Sequence, residues 1–256
     1  MLDLKRYGVS LAFALVLILA TSQACQGQPQ AVQGGAVEQS ASPLYETRPI
    51  HDPNGTGRFY LGREIALVMG PGGIPWLDRP EREVQERPEA LLAALELRSG
   101  EVVADLGAGS GYFTFRIAPK VGKEGKVLAV DIQEEMLETL RRRAMAQNAT
   151  NVEVVHAMEN DPMLPANSVD IVIMVDVYHE LAYPYEIMTK LRDSLKPGGR
   201  VVFVEYRKED QQVPIKEVHK MSLEQIDKEM AAVGLSRSRT VETLPWQHIA
   251  IFEKTP

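Results

Sequence analysis

Thiols are almost absent from this 256-residue chain; the single cysteine is Cys25. One thiol forms no internal disulfide and no thiolate metal cluster, so a folded core must supply the stability. Basic charge is also short: 28 Lys and Arg stand against 35 Asp and Glu, a net −7, with the basic residues dispersed. That balance excludes an electrostatic footprint for nucleic acid. Long hydrophobic runs are missing apart from Val9 to Ala20. About 12 apolar residues are too few to span a bilayer comfortably as a helix. No repeat recurs at the periods of solenoids or propellers. What remains is ordinary globular composition, 45% hydrophobic and 25% charged. A domain of about 200 residues buries roughly 70% of its unfolded-chain surface and needs no staple.

The run near the start has the marks of a targeting segment. Lys5 and Arg6 precede it, and Ser22-Gln23-Ala24 offers small residues for cleavage, so residues 1–24 are expected to be a signal peptide or anchor. The protein would then be exported or membrane-associated, on the periplasmic side if bacterial, and cytoplasmic if the segment is not used. Cys25 follows at once. Acylation there would tether the chain to a membrane, although Ser22 and Gln23 depart from the usual lipoprotein pattern; acylation, simple cleavage and an uncleaved anchor all stay open. Residues 25–48, rich in Gln, Gly, Ala, Ser and Pro, read as a flexible linker. Residues 49–98 are expected to be an N-terminal helical extension. "FYLGREIALVMG" suggests a short helix, "PGGIPWLDRP" a breaker-rich loop carrying Trp76, and Leu91, Leu92 and Leu95 a helix stopped by Arg98-Ser99-Gly100.

The main domain is expected over 99–256. Apolar runs at 102–106, 127–130, 152–155, 171–175 and 201–204 alternate with helical stretches at about 111–118, 133–147 and 184–195. This rhythm predicts an α/β fold, a doubly wound and mainly parallel sheet covered on both faces. Ser222 with Gln225 makes a capping-box signature for a further helix. "SRSRTVETL" and "HIAIFEK" are strands separated only by "PWQ". So short a connection demands antiparallel pairing, because parallel neighbours need a crossover. The expectation is a seven-stranded sheet closed by a C-terminal antiparallel hairpin.

"VADLGAGSGY" (103–112) sets Gly107, Gly109 and Gly111 at the turn from the first strand into a helix. Glycine there lets a ligand lie against bare backbone near a helix N-terminus. Asp131 ends the next strand, where a carboxylate can accept both hydroxyls of a ribose or simply cap the following helix. A dinucleotide fingerprint wants another glycine at position 112, where this chain has Tyr112. With these residues, "VLAVDIQEEML", "LPANSVD" and "LKPGGRVVFVEY", the chain resembles the class I S-adenosylmethionine-dependent methyltransferases over about residues 85 to 256.

The resemblance implies S-adenosylmethionine as cofactor. Asp105 would engage its ammonium, often through water; Gly107, Ala108, Gly109 and Gly111 would form the wall under its methionine and ribose. Asp131 would take the ribose hydroxyls and Ile132 would pack on the adenine. Glu159, with the backbone of Met158, would face the adenine amino group, with Asp161 as the alternative. A sulfonium cofactor carries no phosphate, and the glycine loop has no Lys or Arg clamp.

The crevice of a doubly wound sheet opens at the C-terminal strand ends where strand order reverses. Asp176 to Glu180, after the fourth strand, should therefore line the site. His179 is the candidate base for an acceptor hydroxyl, the competing reading being a helix cap. Tyr178 and Tyr183 would shape the acceptor pocket or simply pack. Trp76 is either a lid over the site or a core anchor. His219 could reach over the site, His248 reads as structural, and His51 and His156 show no ligand spacing, so no metal site is expected. The leading expectation is methyl transfer to a small or medium acceptor, at O or N rather than C, without nucleic-acid partners. An exported, non-catalytic nucleoside-binding module and an NAD(P)-dependent oxidoreductase are the rivals.

Overall fold

Residue alternation explains the central sheet. Along Val102–Leu106, Val103 belongs to one buried cluster and Ala104 to the other, because successive strand side chains leave opposite faces. Both faces are therefore apolar, and both must be covered. A computed structural model describes residues 44–255 of the chain. The expected export segment 1–24, Cys25 and most of the expected linker lie outside the described residues. Among the described residues no helix is long and apolar enough to cross a membrane.

In chain order the elements begin with β1 (Tyr45–Thr47), β2 (Gly55–Tyr60) and β3 (Arg63–Ala66), a small antiparallel sheet. Short helical turns α1 (Ile74–Leu77) and α2 (Arg82–Gln85) lead to α3 (Pro88–Ala94). Then come β4 (Val102–Leu106), α4 (Thr114–Val121), β5 (Lys126–Asp131), α5 (Glu134–Ala146), β6 (Val152–His156) and β7 (Val169–Val175). The chain closes with α6 (Pro184–Ser194), β8 (Leu195–Tyr206), α7 (Leu223–Ala231), β9 (Leu235–Val241) and β10 (Gln247–Lys254).

The large sheet has seven strands in the order β6-β5-β4-β7-β8-β10-β9. The first five are parallel, and β10 runs antiparallel to both β8 and β9. The seven-stranded, doubly wound expectation holds, including its closing hairpin. Ile187, Met188 and Leu191 of α6 and Ile226 and Met230 of α7 cover one face. Leu91 and Leu92 of α3 with Ile117 and Val121 of α4 cover the other. Strand order reverses between β4 and β7, which opens the crevice beside their C-terminal ends.

The N-terminal extension corrects the sequence reading. "FYLGREIALVMG" forms a hairpin, not a helix: Tyr60 pairs with Arg63 across Leu61 and Gly62, whose φ values are 48° and 94°. Two consecutive positive φ angles make the tight turn whose twist suits a β-hairpin. Tyr60, Ile65 and Ala66 of this hairpin are buried. The strand β1 also begins inside the stretch read as linker and pairs with β2. The capping box is half made. Ser222 accepts from the Gln225 backbone N–H at 3.2 Å, whereas the Gln225 amide donates to Glu229 and to the Leu61 carbonyl.

Candidate active site

The glycine turn follows β4 directly. Gly107 has φ +68°, and a Cβ added there would stand 2.6 Å from both methyl carbons of Val177. Only a bare backbone fits this close approach. Gly107 and Gly109 border a cavity of about 750 Å³, within the usual range for small-molecule sites. Gly111 does different work: a Cβ there would strike Phe115 and Leu140, so it serves the packing of α4 and α5. Neither Gly111 nor Ala108 lines the cavity.

Asp131 closes the wall beyond the glycines. Its Oδ2 accepts from the Gly109 N–H and its Oδ1 from the Gln133 N–H, both at 2.9 Å. Burial raises its pKa, and the N–H groups of Gln133, Gly109 and Ile132 oppose that rise. Asp131 lines the cavity, and each of its carboxylate oxygens, accepting one of these bonds, has capacity for another. Ile132, Met158 and Glu159 stand along the same end. Asp161, the alternative to Glu159, is turned to Lys190.

Asp105 sits elsewhere. It is buried, accepts from the Thr114 hydroxyl and does not line the cavity. Burial pushes its carboxyl up to about 6. The carboxylate that does reach the cavity from the sheet's end is Asp176, with φ +54° directly after β7. One of its oxygens accepts from Gln247, and the other is buried without a partner among the described residues. Burial pushes this carboxyl well above the usual range, and the Glu86 and Glu205 carboxylates push the same way.

The next turn holds the most organised polar group. Glu205, fully buried on β8, accepts from the Tyr178 N–H at 2.8 Å and from His179 Nδ1 at 2.6 Å. With Nδ1 held, His179 Nε2 belongs to the cavity side, 3.8 Å from Glu180 Oε1. Burial opposes charge on this ring, but the Glu205 carboxylate outweighs it, and the pKa stands above imidazole's ordinary value. His219 packs edge-to-face on His179, ring centroids 5.1 Å apart, and also lines the cavity.

Tyr178 is not a pocket residue. It is completely buried, and its hydroxyl donates to Glu229 at 2.6 Å on the far side of the turn. Tyr183 stacks with Tyr45 and Arg58 away from the cavity. His248 bridges Glu242 and Glu209 and is structural, as expected. Trp76 does stand at the cavity, with the Arg79 guanidinium 3.6 Å over its ring.

The sequence reading missed the basic side of this pocket. Arg79 and Arg82 reach it from upstream of the sheet, and both donate to the buried Glu86 at 2.6 Å. The i,i+4 spacing of Arg82 and Glu86 was legible as a helical pair, but nothing local says that it faces a cavity. Glu205 was equally hidden, since a lone acid in "VVFVEY" reads as a strand end.

One cavity is thus lined by the bare backbone of Gly107 and Gly109, by Asp131 and by His179. The Asp176 oxygen that is buried without a partner among the described residues and the bare backbone of Gly107 and Gly109 along the cavity fit a cationic nucleoside such as S-adenosylmethionine.

Known proteins carry the same framework. Residues 97–249 match the model of a family described as "Methyltransferase domain". A SAM-dependent methyltransferase from Aquifex aeolicus has a TM-score of 0.68 and 29% identity, covering 72% of this chain and 98% of its own. Ubiquinone/menaquinone biosynthesis C-methyltransferase UbiE of Coxiella burnetii is 32% identical over 113 residues, 44% of this chain and 45% of the relative. Demethylmenaquinone methyltransferase of Symbiobacterium thermophilum is 33% identical over 120 residues, 46% of this chain and 47% of the relative. The chain spans about half the length of these two curated relatives.

Proposed function

The chain belongs to the methyltransferase-domain family, with the class I S-adenosylmethionine-dependent fold, and on that premise we propose that it methylates a small or medium acceptor at oxygen or nitrogen. The observation that carries this reading is one cavity lined by Gly107, Asp131 and His179 together. S-adenosylmethionine supplies an electrophilic methyl group on a sulfonium.

The chain's own residues divide the remaining tasks. Asp131, already oriented by two backbone N–H groups, holds the ribose hydroxyls. Ile132 and Met158 flank the adenine, with Glu159 beside them. Asp176, through its unpaired oxygen, takes the ammonium in place of the more deeply buried Asp105. Arg79 and Arg82 line the same cavity and favour the cofactor's carboxylate. Leu77, Ile187 and Ile215 supply apolar wall and exclude water from the acceptor, which raises the effective concentration of correctly placed reactants.

An oxygen or nitrogen acceptor must lose a proton, and the His179–Glu205 pair is built to handle one. A histidine whose partner is a fully buried carboxylate is held in one orientation with Nε2 free. The relatives named as C-methyltransferases match over less than half of this chain, and a carbon acceptor is the competing outcome. Calorimetric titration with S-adenosylmethionine, followed by transfer of labelled methyl to a cell extract and identification of the product, tests the reading. Saturable binding and a labelled O- or N-methyl product are expected. No binding at millimolar cofactor overturns the function, and a C-methyl product overturns the choice of acceptor atom.

A further inference from the structure

His179, Glu180 and His219 come from two separate turns and bring one nitrogen or oxygen each to a common point, all within 4.8 Å of one another. The sequence reading expected no metal site, on the ground that His51 and His156 show no ligand spacing. Folding brings together a different set, from residues far apart in the chain. Glu180 Oε1 lies 3.6 Å from His219 Nδ1 and 3.8 Å from His179 Nε2. These distances are too long for hydrogen bonds. They are close to the roughly 3.4 Å that separates two ligands bound tetrahedrally at about 2.1 Å from one ion.

Three further features point to a ligand at that spot. His179 is 98% buried, being 2% exposed, and its Nε2 makes no hydrogen bond among the described residues. Its other nitrogen is fixed by Glu205 at 2.6 Å, the carboxylate–histidine arrangement that orients imidazole ligands and raises their basicity. Glu180 is likewise steadied, its second oxygen accepting from the Met69 N–H at 3.3 Å. All three side chains line the cavity.

We propose that His179, Glu180 and His219 bind one divalent transition-metal ion at the acceptor end of the cavity, with open positions facing the acceptor. Two imidazoles and one carboxylate suit zinc, iron(II) or cobalt rather than magnesium or calcium. The proposal rests on the methyltransferase reading for its chemistry and deepens it, because it specifies a hydroxylated acceptor. The ion holds the acceptor oxygen and lowers its pKa, so the hydroxyl proton passes to water. The oxygen lone pair then forms the new C–O bond, and the pair of the broken C–S bond returns to sulfur. His179 Nε2 serves as ligand, and the ion replaces it as the means of ionising the acceptor.

The test uses the full chain stripped with a chelator and titrated with Co²⁺ and then Zn²⁺, followed by absorption and calorimetry. One ion per chain is expected, with a visible Co²⁺ band of low-coordinate geometry. His219→Ala should weaken binding by more than about 100-fold, beyond the roughly 10–100-fold that loss of an outer-sphere partner typically costs. His219 sits on an exposed-side 3₁₀ turn, and circular dichroism checks that the variant folds. Glu180→Gln, measured in parallel, should weaken Co²⁺ binding by at least about tenfold. No ion bound by the folded wild-type chain, or unchanged affinity in both variants, overturns the site. Titration of the stripped protein with S-adenosylmethionine separates the two ideas. Cofactor binding without metal binding sinks the ion and leaves the methyltransferase standing; metal binding without cofactor binding leaves the ion site and sinks the methyltransferase.

Discussion

Arg63 and Glu229, separated by 166 residues, form a buried two-bond ion pair: Nε to Oε1 at 2.7 Å and Nη2 to Oε2 at 2.9 Å. The same guanidinium donates to the His179 carbonyl at 3.1 Å. The N-terminal hairpin is thereby tied both to α7 and to the turn that carries the candidate reacting residues. Glu229 is completely enclosed and also accepts from Tyr178 and Gln225.

Arg63→Ala should cost about 3–5 kcal/mol, because it leaves the Glu229 charge buried without its partner. Adding Glu229→Gln to that variant should recover part of the loss, since a neutral amide is cheaper to bury. Urea unfolding of the single and double variants measures both. Equal stability of the two would mean that the unpaired charge is not the cause.

Gly107→Ala places a methyl group 2.6 Å from Val177 and holds an L residue at φ +68°. Both effects oppose the native turn, so the variant should lose more than about 1 kcal/mol of stability. The displaced Val177 side chain lines the cavity, so cofactor affinity should fall as well. Thermal melting and calorimetry check the two effects separately.

Asp131→Ala removes the acceptor of the Gly109 and Gln133 N–H groups together with the proposed ribose contact. Losing charge-assisted bonds of this kind should weaken cofactor binding by about 1.5–3 kcal/mol. Asp161→Ala, which breaks a surface pair with Lys190 and an exposed bond from the Met163 N–H, should bind cofactor within a factor of about two, as surface pairs contribute little. Equal losses in the two variants would remove Asp131 from its role.

The Asp105 carboxyl predicts a pH dependence. Its folded pKa is raised by burial to about 6. A raised carboxyl favours the folded state while it stays neutral, so its contribution is complete below about pH 4 and is lost as pH rises through about 6. Asp105→Asn keeps an acceptor for the Thr114 hydroxyl and cannot ionise. Its stability relative to wild type should therefore rise between pH 4 and pH 7.5 by on the order of 2 kcal/mol. Denaturant unfolding at both pH values, compared between the two proteins, reads this directly; a pH-independent difference would show that the group does not titrate in that window.

Much of the fold was legible because its signals are local. The five apolar runs, the helices between them and the three-residue break before "HIAIFEK" each depend on neighbours in sequence. Gly107, Gly109 and Asp131 were legible for the same reason, since a strand-turn-helix unit brings its own ends together. The hairpin at Leu61-Gly62 was not. Its apolar residues suit either a short helix or a paired strand, and the burial of Tyr60 and Ile65 against distant elements decides between them.

Role assignment failed where it needed direction as well as position. Tyr178 and His179 are adjacent, yet one turns its hydroxyl to Glu229 and the other offers Nε2 to the cavity. Glu205, from the neighbouring strand, sets that difference by accepting from the backbone of the first and the ring of the second.

The sequence alone determined the alternating architecture, the bare glycine wall and the carboxylate beside it, because periodicity and turn chemistry act over a few residues. Only the tertiary structure decided which side chains share the cavity. Arg79 and Arg82, Asp176, and the His179–Glu180–His219 group meet through crossovers and long connections. Their contacts are decided by how the covered sheet packs, which leaves no trace in local spacing.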